Sequence, residues 1–318
     1  MALDFNSVKF LFWARNLGVS CNRTLTLGRM GLSCTPRQVR RALGDFNLSG
    51  TRGEVDRCFR RTFGENLYAD EFFRFLGAKE IVSADYSNYE EATLLHDLNK
   101  PFPENLRGGF DLVMDGGTLE HIFDFPSALR HCLELVSVGG HFITITPANQ
   151  WMGHGFYQFS PELYFRVFDA GNGFRLRKIV LFDCLKADAT FYEVKDPALI
   201  GKRVQLSSRK LMTMAVLAEK TAEVPIFAHP PQQSDYVAVW NEHQRKEEAA
   251  AGTKTAGAGL FHRLRVAVNP YWPYWLRYLK SRFSHFRNEG RHSLNNTSQF
   301  RRLSREEIAR ERSGRTPA

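Results

Sequence analysis

The chain has 318 residues, 43% of them apolar, enough to bury one large α/β core or two smaller ones, which excludes disorder throughout. No run approaches the ~20 apolar residues of a membrane span, because Asn6, Lys9, Arg15 and Asn16 interrupt the apolar N-terminal stretch. The net charge of +9 is concentrated: Asn241 to Ala318 holds 16 Lys and Arg against 7 Glu and no Asp, so residues 1–240 balance near zero and their charge argues against nucleic-acid binding.

Five scattered cysteines, Cys21, Cys34, Cys58, Cys132 and Cys184, form neither a disulfide framework nor a paired zinc spacing, which points to the reducing cytoplasm. In chain order, Phe5 to Leu17 reads as a packed helix stopped by Gly18, and Val8 to Val19 lacks the small-residue cleavage pattern of a signal peptide. Thr24 to Leu27 is a short buried strand running into Gly28-Arg29-Met30-Gly31, and Thr35-Pro36 starts a helix that continues over Arg37 to Leu43. Strand, glycine turn and helix is the geometry of a phosphate or cofactor loop, although a GxxG pair is about as often a plain tight turn. Asn47 to Asn66 is polar and reads as a surface excursion. Tyr68 to Leu76 is an apolar-faced helix, Ile81 to Ala84 a second strand ending on Asp85, and Thr93 to Leu98 a third, with Asp97 near its carboxyl end. A carboxylate at the tip of the second strand can accept from both ribose hydroxyls of a nucleotide; capping the next turn is the alternative for Asp85.

Phe110 to Met114 is a further strand that turns at Asp115-Gly116-Gly117. A helix follows with Ala128, Leu129, Cys132, Leu133, Leu135 and Val136 on one face, and after Gly139-Gly140 comes a strand, His141 to Thr146, closed by Pro147. Strand, helix, strand is the crossover unit of a parallel sheet, whose functional loops gather at the carboxyl ends of the strands. Asp115 to His121 and Pro147 to Tyr157 therefore share one rim. Ser160-Pro161-Glu162 opens a helix to about Asp169, and Leu176 to Asp183 and Leu211 to Ala218 are two last strands, expected as an antiparallel edge pair. The count is a doubly wound, mostly parallel, seven-stranded α/β sheet over residues 1–222. Beyond it, 223–259 reads as a linker, 260–286 as an aromatic, basic helical segment broken by Pro270 and Pro273, and 287–318 as a disordered tail. The 260–286 segment suits a peripheral membrane contact or an anionic partner, or else a helix covering apolar surface on the domain.

From about Thr24 to Glu219, the order and spacing of Asp85, Asp97, FDLVMDGGTLEHIFDF (Phe110 to Phe125) and LELVSVGGHFITITP (Leu133 to Pro147) resemble class I S-adenosylmethionine-dependent methyltransferases of the small-molecule type. The resemblance implies a Rossmann-like fold, S-adenosylmethionine as cofactor, and a small molecule or sugar as methyl acceptor. It also implies Asp85 and Tyr86 at the ribose, Asp97 and Leu98 at the adenine, and Gly28, Arg29 and Gly31 beside the methionine part. Asp115, Gly116 and Gly117 would form the floor beside the methyl group, with Glu120 on the same rim. One loop departs from the family pattern of an acid followed by GxGxG: LTLGRMGLS (Leu25 to Ser33) has no acid and two glycines. Arg29 would bring positive charge near a sulfonium unless it points away or holds the cofactor carboxylate.

Methyl transfer from a sulfonium is an in-line displacement that rests on positioning and water exclusion, with a base where the acceptor is a hydroxyl. His121 is the expected base, its alternative being a structural histidine that opens a helix. His154 and Tyr157, around Gly155, read as a lid over the acceptor or as a packed loop. His121, His131 and His141 fall on a loop, a helix and a strand without paired ligand spacing, so no metal is expected, and no GxSxG elbow supports a hydrolase. Two functional classes stay open: a methyltransferase acting on oxygen or nitrogen of a small molecule or sugar, and a methyltransferase-like fold without turnover that serves as a binding or scaffold subunit.

Overall fold

A computed structural model of the chain describes residues 2–59, 67–252 and 292–312. In chain order its elements are β1 (Ala2–Asp4), α1 (Phe5–Asn16), β2 (Arg23–Leu27), β3 (Gly31–Ser33), α2 (Pro36–Asp45), α3 (Arg52–Arg57), α4 (Asp70–Phe75), β4 (Glu80–Asp85), β5 (Leu94–Leu95) and β6 (Phe110–Asp115). There follow α5 (Phe125–Glu134), β7 (Val136–Asn149), α6 (Pro161–Val167), β8 (Phe174–Asp183), β9 (Tyr192–Val194), α7 (Pro197–Ile200), β10 (Met212–Lys220), α8 (Ser234–Gly252), β11 (Phe300–Arg302) and α9 (Arg305–Arg310). Local chemistry starts many of these helices. Asp4 accepts from Ser7 N at 2.8 Å to cap α1, and Thr35 and Gln38 close a reciprocal capping box on α2 with Pro36 in its first turn.

A nine-stranded sheet ordered β11-β9-β8-β10-β7-β6-β2-β4-β5 carries the fold, and β1 and β3 form a small parallel pair beside it. β5, β4, β2, β6 and β7 are parallel; β10 lies antiparallel between β7 and β8, and β9 antiparallel between β8 and β11. The mostly parallel, doubly wound α/β sheet read from the sequence is thus present, with two strands more than the seven expected. One placement is corrected: β10 is not at an edge. It is inserted into the sheet and covered on both faces, which is why Met212–Leu217 is apolar on both sides except at Thr213, rather than alternating. The third strand is also shorter than expected, because Asp97 folds back on Asn99 N at 3.1 Å and ends it early.

α1 is buried along nearly its whole circumference, and its polar residues are all engaged. Asn6 donates to the Lys186 carbonyl and accepts from Ala189 N, and Lys9 pairs with Asp188 at 2.7 Å. Asp188 also holds Arg41 of α2 at 2.8 Å and Arg305 of α9, so one carboxylate ties three helices together. The polar stretch 47–66 is more than a surface excursion, since α3 buries Val55 and the following Cys58 under α4; residues 60–66 lie outside the described residues.

The C-terminal expectations change most. Within the expected linker, 234–252 is helical, fastened at its start by Ser234 N to Glu162 (2.7 Å) and by Asp235 to Arg203 (2.6 Å). Within the expected disordered tail, 292–312 is ordered: β11 pairs with β9, Phe300 and Leu303 are buried, and α9 packs Ile308 and Ala309 into the core. A few apolar residues among many charges suffice, because β9 offers an edge of unpaired backbone groups and Glu193 offers a partner for Arg301 at 2.7 Å. The aromatic, basic segment 260–286 lies outside the described residues. Among the described residues no helix is long and apolar enough to cross a membrane, and all five cysteines are free.

Candidate active site

Strand order reverses between β2 and β6, and in doubly wound sheets such a switch point opens a crevice at the carboxyl ends. Gly28, Asp85 and Thr118 meet there. Gly28 has φ +73°, donates its N–H to the Ala84 carbonyl at 2.7 Å, and leaves a gap: a Cβ at this position would lie 3.5 Å from Thr118 Oγ1 and 3.7 Å from Asp85 Oδ2. Asp85 accepts from Ser87 N through Oδ1 and turns Oδ2 toward that gap. Thr118 closes the far side by donating to the Leu27 carbonyl at 2.9 Å.

The next loop along the edge is braced from within. Asp115 is fully buried; its Oδ1 accepts from Gly117, Thr118 and Leu119 N, and its Oδ2 from the Thr144 hydroxyl at 2.7 Å. Burial pushes its carboxyl up from the ordinary range. Asp115 therefore shapes the loop rather than facing a ligand. Gly116 packs on Met30, and Gly117, at φ +101°, lets the chain turn into the single helical turn Leu119–His121.

That turn delivers Glu120 inward. Glu120 is fully buried; Oε2 accepts from Thr146 at 3.3 Å, while Oε1 has no hydrogen-bond partner and lies 3.6 Å from His154 Nε2. Burial, and then the adjacent Asp115, push its carboxyl up to about 8. The His121 ring lies 5.1 Å from that of His154, and burial followed by His154 lowers its pKa from the ordinary imidazole value. Glu120, His154, Thr146, Trp151 and Thr213 line a cavity of about 280 Å³, closed on its other side by Asp4 and Ser7 of the N-terminal segment. Two other cavities, of about 60 Å³ beside Lys9 and 360 Å³ beside α3 and α4, contain none of the carboxyl-edge loops.

The structure brings Gly28 and Asp85 together at the crevice and Glu120, His121 and His154 at the pocket. Others stand apart. Arg29 pairs with Asp70 at 3.3 Å, donates to the Glu90 and Glu91 carbonyls, and stacks over Tyr68, so its charge is spent latching the loop after β4 to α4. Gly31 lies in β3, paired with Ala2. Asp97 is fastened to Asn99 and Lys100, which with Asn99 first in weight lowers its pKa, and Leu98 is buried under His131. Tyr86 follows Asp85 with its ring 79% exposed. Tyr157 donates its hydroxyl to the Phe123 carbonyl at 2.7 Å and stacks with Phe159, a packing role. His154, not His121, lines the pocket.

Three side chains with donor atoms meet at this rim, a grouping that their spacing in the sequence did not announce: one ligand atom from each of Glu120, His121 and His154 lies within 4.8 Å of the others. Thr118, Thr144, Thr146 and Trp151 were not singled out by the sequence. The signal for two of them was present, since Thr144 and Thr146 interrupt the apolar run ITITP with period two and so share one face.

No family model and no curated protein sequence matches the chain. Solved structures align with it at low identity. An S-adenosylmethionine-dependent methyltransferase from Mesorhizobium loti is 15% identical, covering 67% of this chain and 97% of that one, with a TM-score of 0.34. The YcgJ protein from Bacillus subtilis is 10% identical over 69% and 99%, TM-score 0.38, and the branched-chain polyamine synthase of Thermus thermophilus 13% identical over 72% and 60%, TM-score 0.32. Each of these TM-scores is below 0.5.

Proposed function

We propose that the chain is an S-adenosylmethionine-dependent methyltransferase acting on an oxygen or nitrogen of a small molecule or sugar. The observation that carries this reading is the crevice between β2, β4 and β6, where Gly28 leaves open the space a side chain would fill and Asp85 turns an oxygen into it. A carboxylate so placed suits a ribose diol, accepting from both hydroxyls at once. Because Arg29 is neutralised by Asp70, it does not oppose a sulfonium. The bound cofactor would supply an electrophilic methyl group.

The residues of the chain do the rest. The 280 Å³ pocket beside the crevice is of a size for a small acceptor, Trp151 gives it an aromatic wall, and Thr146 and Thr213 offer hydroxyls for orientation. His154 stands where it can take a proton from an acceptor hydroxyl or amine. Burial of Glu120 and the wall of Phe182 and Ile145 exclude water from the transfer.

Calorimetric titration with S-adenosylmethionine and S-adenosylhomocysteine tests the reading. Saturable binding is expected. Asp85→Ala should weaken it roughly 10- to 100-fold, the worth of about 1.5–3 kcal/mol in hydrogen bonds to a charged group. Gly28→Val, which fills the gap, should abolish it. Absence of binding to folded protein would leave the scaffold class in front.

A further inference from the structure

The geometry points to a divalent transition-metal site formed by Glu120, His121 and His154, a function separate from cofactor binding that stands whether or not the chain binds S-adenosylmethionine. Two imidazoles and one carboxylate are the donor set of open zinc, iron and cobalt sites, which leave positions free for water or substrate. Their ligand atoms already lie within 4.8 Å of one another, and Glu120 Oε1 stands 3.6 Å from His154 Nε2. Metal bonds of about 2.0–2.1 Å set tetrahedral ligands about 3.4 Å apart, so the Glu120–His154 edge, at 3.6 Å, is nearly formed, and the His121 atom lies within 4.8 Å of both.

A second observation is independent of the cluster's shape. Glu120 Oε1 is fully buried without a hydrogen-bond partner, and a polar oxygen in that condition costs free energy that a cation, displacing the carboxyl proton to solvent, would recover. The two loops that carry the ligands are also locked together. Phe156 N and Tyr157 N both donate to the Glu120 carbonyl, at 2.9 and 3.1 Å, and the approach is so close that a Cβ on Gly155 would sit 2.8 Å from that oxygen. Glycine between His154 and Phe156 is what allows the contact. Trp151 packs edge-on against His154 at 5.0 Å and limits its swing.

The free positions of the ion would open on the 280 Å³ pocket through His154 and Glu120. Its ligand class is therefore an acceptor with oxygen donors; with its imidazole committed to the ion, His154 would no longer take the acceptor's proton, and the ion would instead acidify a hydroxyl bound in that pocket.

The test uses the full chain without a histidine tag, stripped with a chelator and dialysed against Zn²⁺, with Co²⁺ as the spectroscopic probe. One Zn²⁺ per chain is expected, a cobalt d–d spectrum of low coordination number, and a Zn²⁺-dependent rise in melting temperature. His154→Ala, on an exposed loop where folding is least at risk, and Glu120→Gln should each weaken binding at least about 100-fold, more than the loss of an outer hydrogen-bond partner costs. His96→Ala, at another loop, should bind as the parent does. Equal Zn²⁺ binding by parent and His154→Ala would mark the ion as adventitious and overturn the site. So would the absence of binding by protein shown to be folded, which would leave a plain carboxylate–imidazole pair. Since none of these three readouts contains S-adenosylmethionine, failure here is distinguishable from failure of the methyltransferase reading.

Discussion

Phe300→Ala is expected to destabilise the protein by about 3–5 kcal/mol, the cost of emptying a fully buried phenylalanine site. Phe300 is 1% exposed and pairs with Val194 across β11 and β9, packing into the apolar layer on the α5 and α6 face of the sheet. Thermal unfolding should shift down by roughly 10 °C, scaling at about 2–4 °C per kcal/mol in large domains. Arg302→Ala, exposed on the same strand, should stay within about 0.5 kcal/mol of the parent. A tail that did not dock would give the same melting temperature for both variants. The expected effect is large because the C-terminal residues complete two layers at once. Phe300 fills the α5 and α6 side, while Leu303 and Ile308 fill the α1 side, and Glu311 beyond α9 holds Trp13 Nε1 at 3.1 Å and Lys178 at 2.6 Å.

Asp188→Asn is expected to cost about 2–3 kcal/mol at pH 7, somewhat under the 3–5 kcal/mol of breaking a fully buried ion pair, because the Asp188 side chain is 21% exposed. Three cations, Lys9, Arg41 and Arg305, share this one carboxylate. Burial alone would raise the Asp188 carboxyl, but the hydrogen bond and charge of Lys9, then Arg305 and Arg41, outweigh it and hold the group below the usual range. Both pKa values fall, which favours the charged form of Asp188 but disfavours that of Lys9: burial lowers the pKa of Lys9 despite its partner. The carboxylate is thus the limiting partner, and its neutralisation leaves a buried ammonium with the Ala189 carbonyl at 2.8 Å, the rings of Phe5 and Phe191, and a neutral amide oxygen in place of a charge. A depressed carboxyl contributes stability above its unfolded pKa of about 3.9 and loses it as pH falls through the folded value. Urea denaturation from pH 7 into acid should therefore show the gap between parent and Asp188→Asn closing below about pH 4. A gap that stays constant over that window would mean a packing defect, not a lost charge.

Helix starts, glycine turns and the strand–helix alternation were legible because their causes are local. Thr35-Pro36, Ser160-Pro161 and the FDLVMDGG turn act within a few residues, and each appears where the sequence indicates. Asp85 was legible too, as an acid at the tip of a strand. Arg29 misled, since its partners Asp70, Glu90 and Glu91 are remote in sequence and nothing local announces them. Tyr157 misled for a similar reason: a tyrosine beside a histidine looks functional until its hydroxyl is found on the Phe123 carbonyl.

The element types, the α/β class, the carboxyl-edge loops and the candidate acid at the second strand are readable from local residue patterns. These follow from side-chain period, capping and the fixed backbone preferences of glycine and proline. Long-range packing alone sets three further features: β10 enters the sheet beside β7, the charged segment 300–310 returns to cover β9, and Glu120, His121 and His154 meet. Each of those is a choice among non-local partners whose closure entropy is offset only by the completed core, and no local pattern specifies which edge or which loop a segment will find.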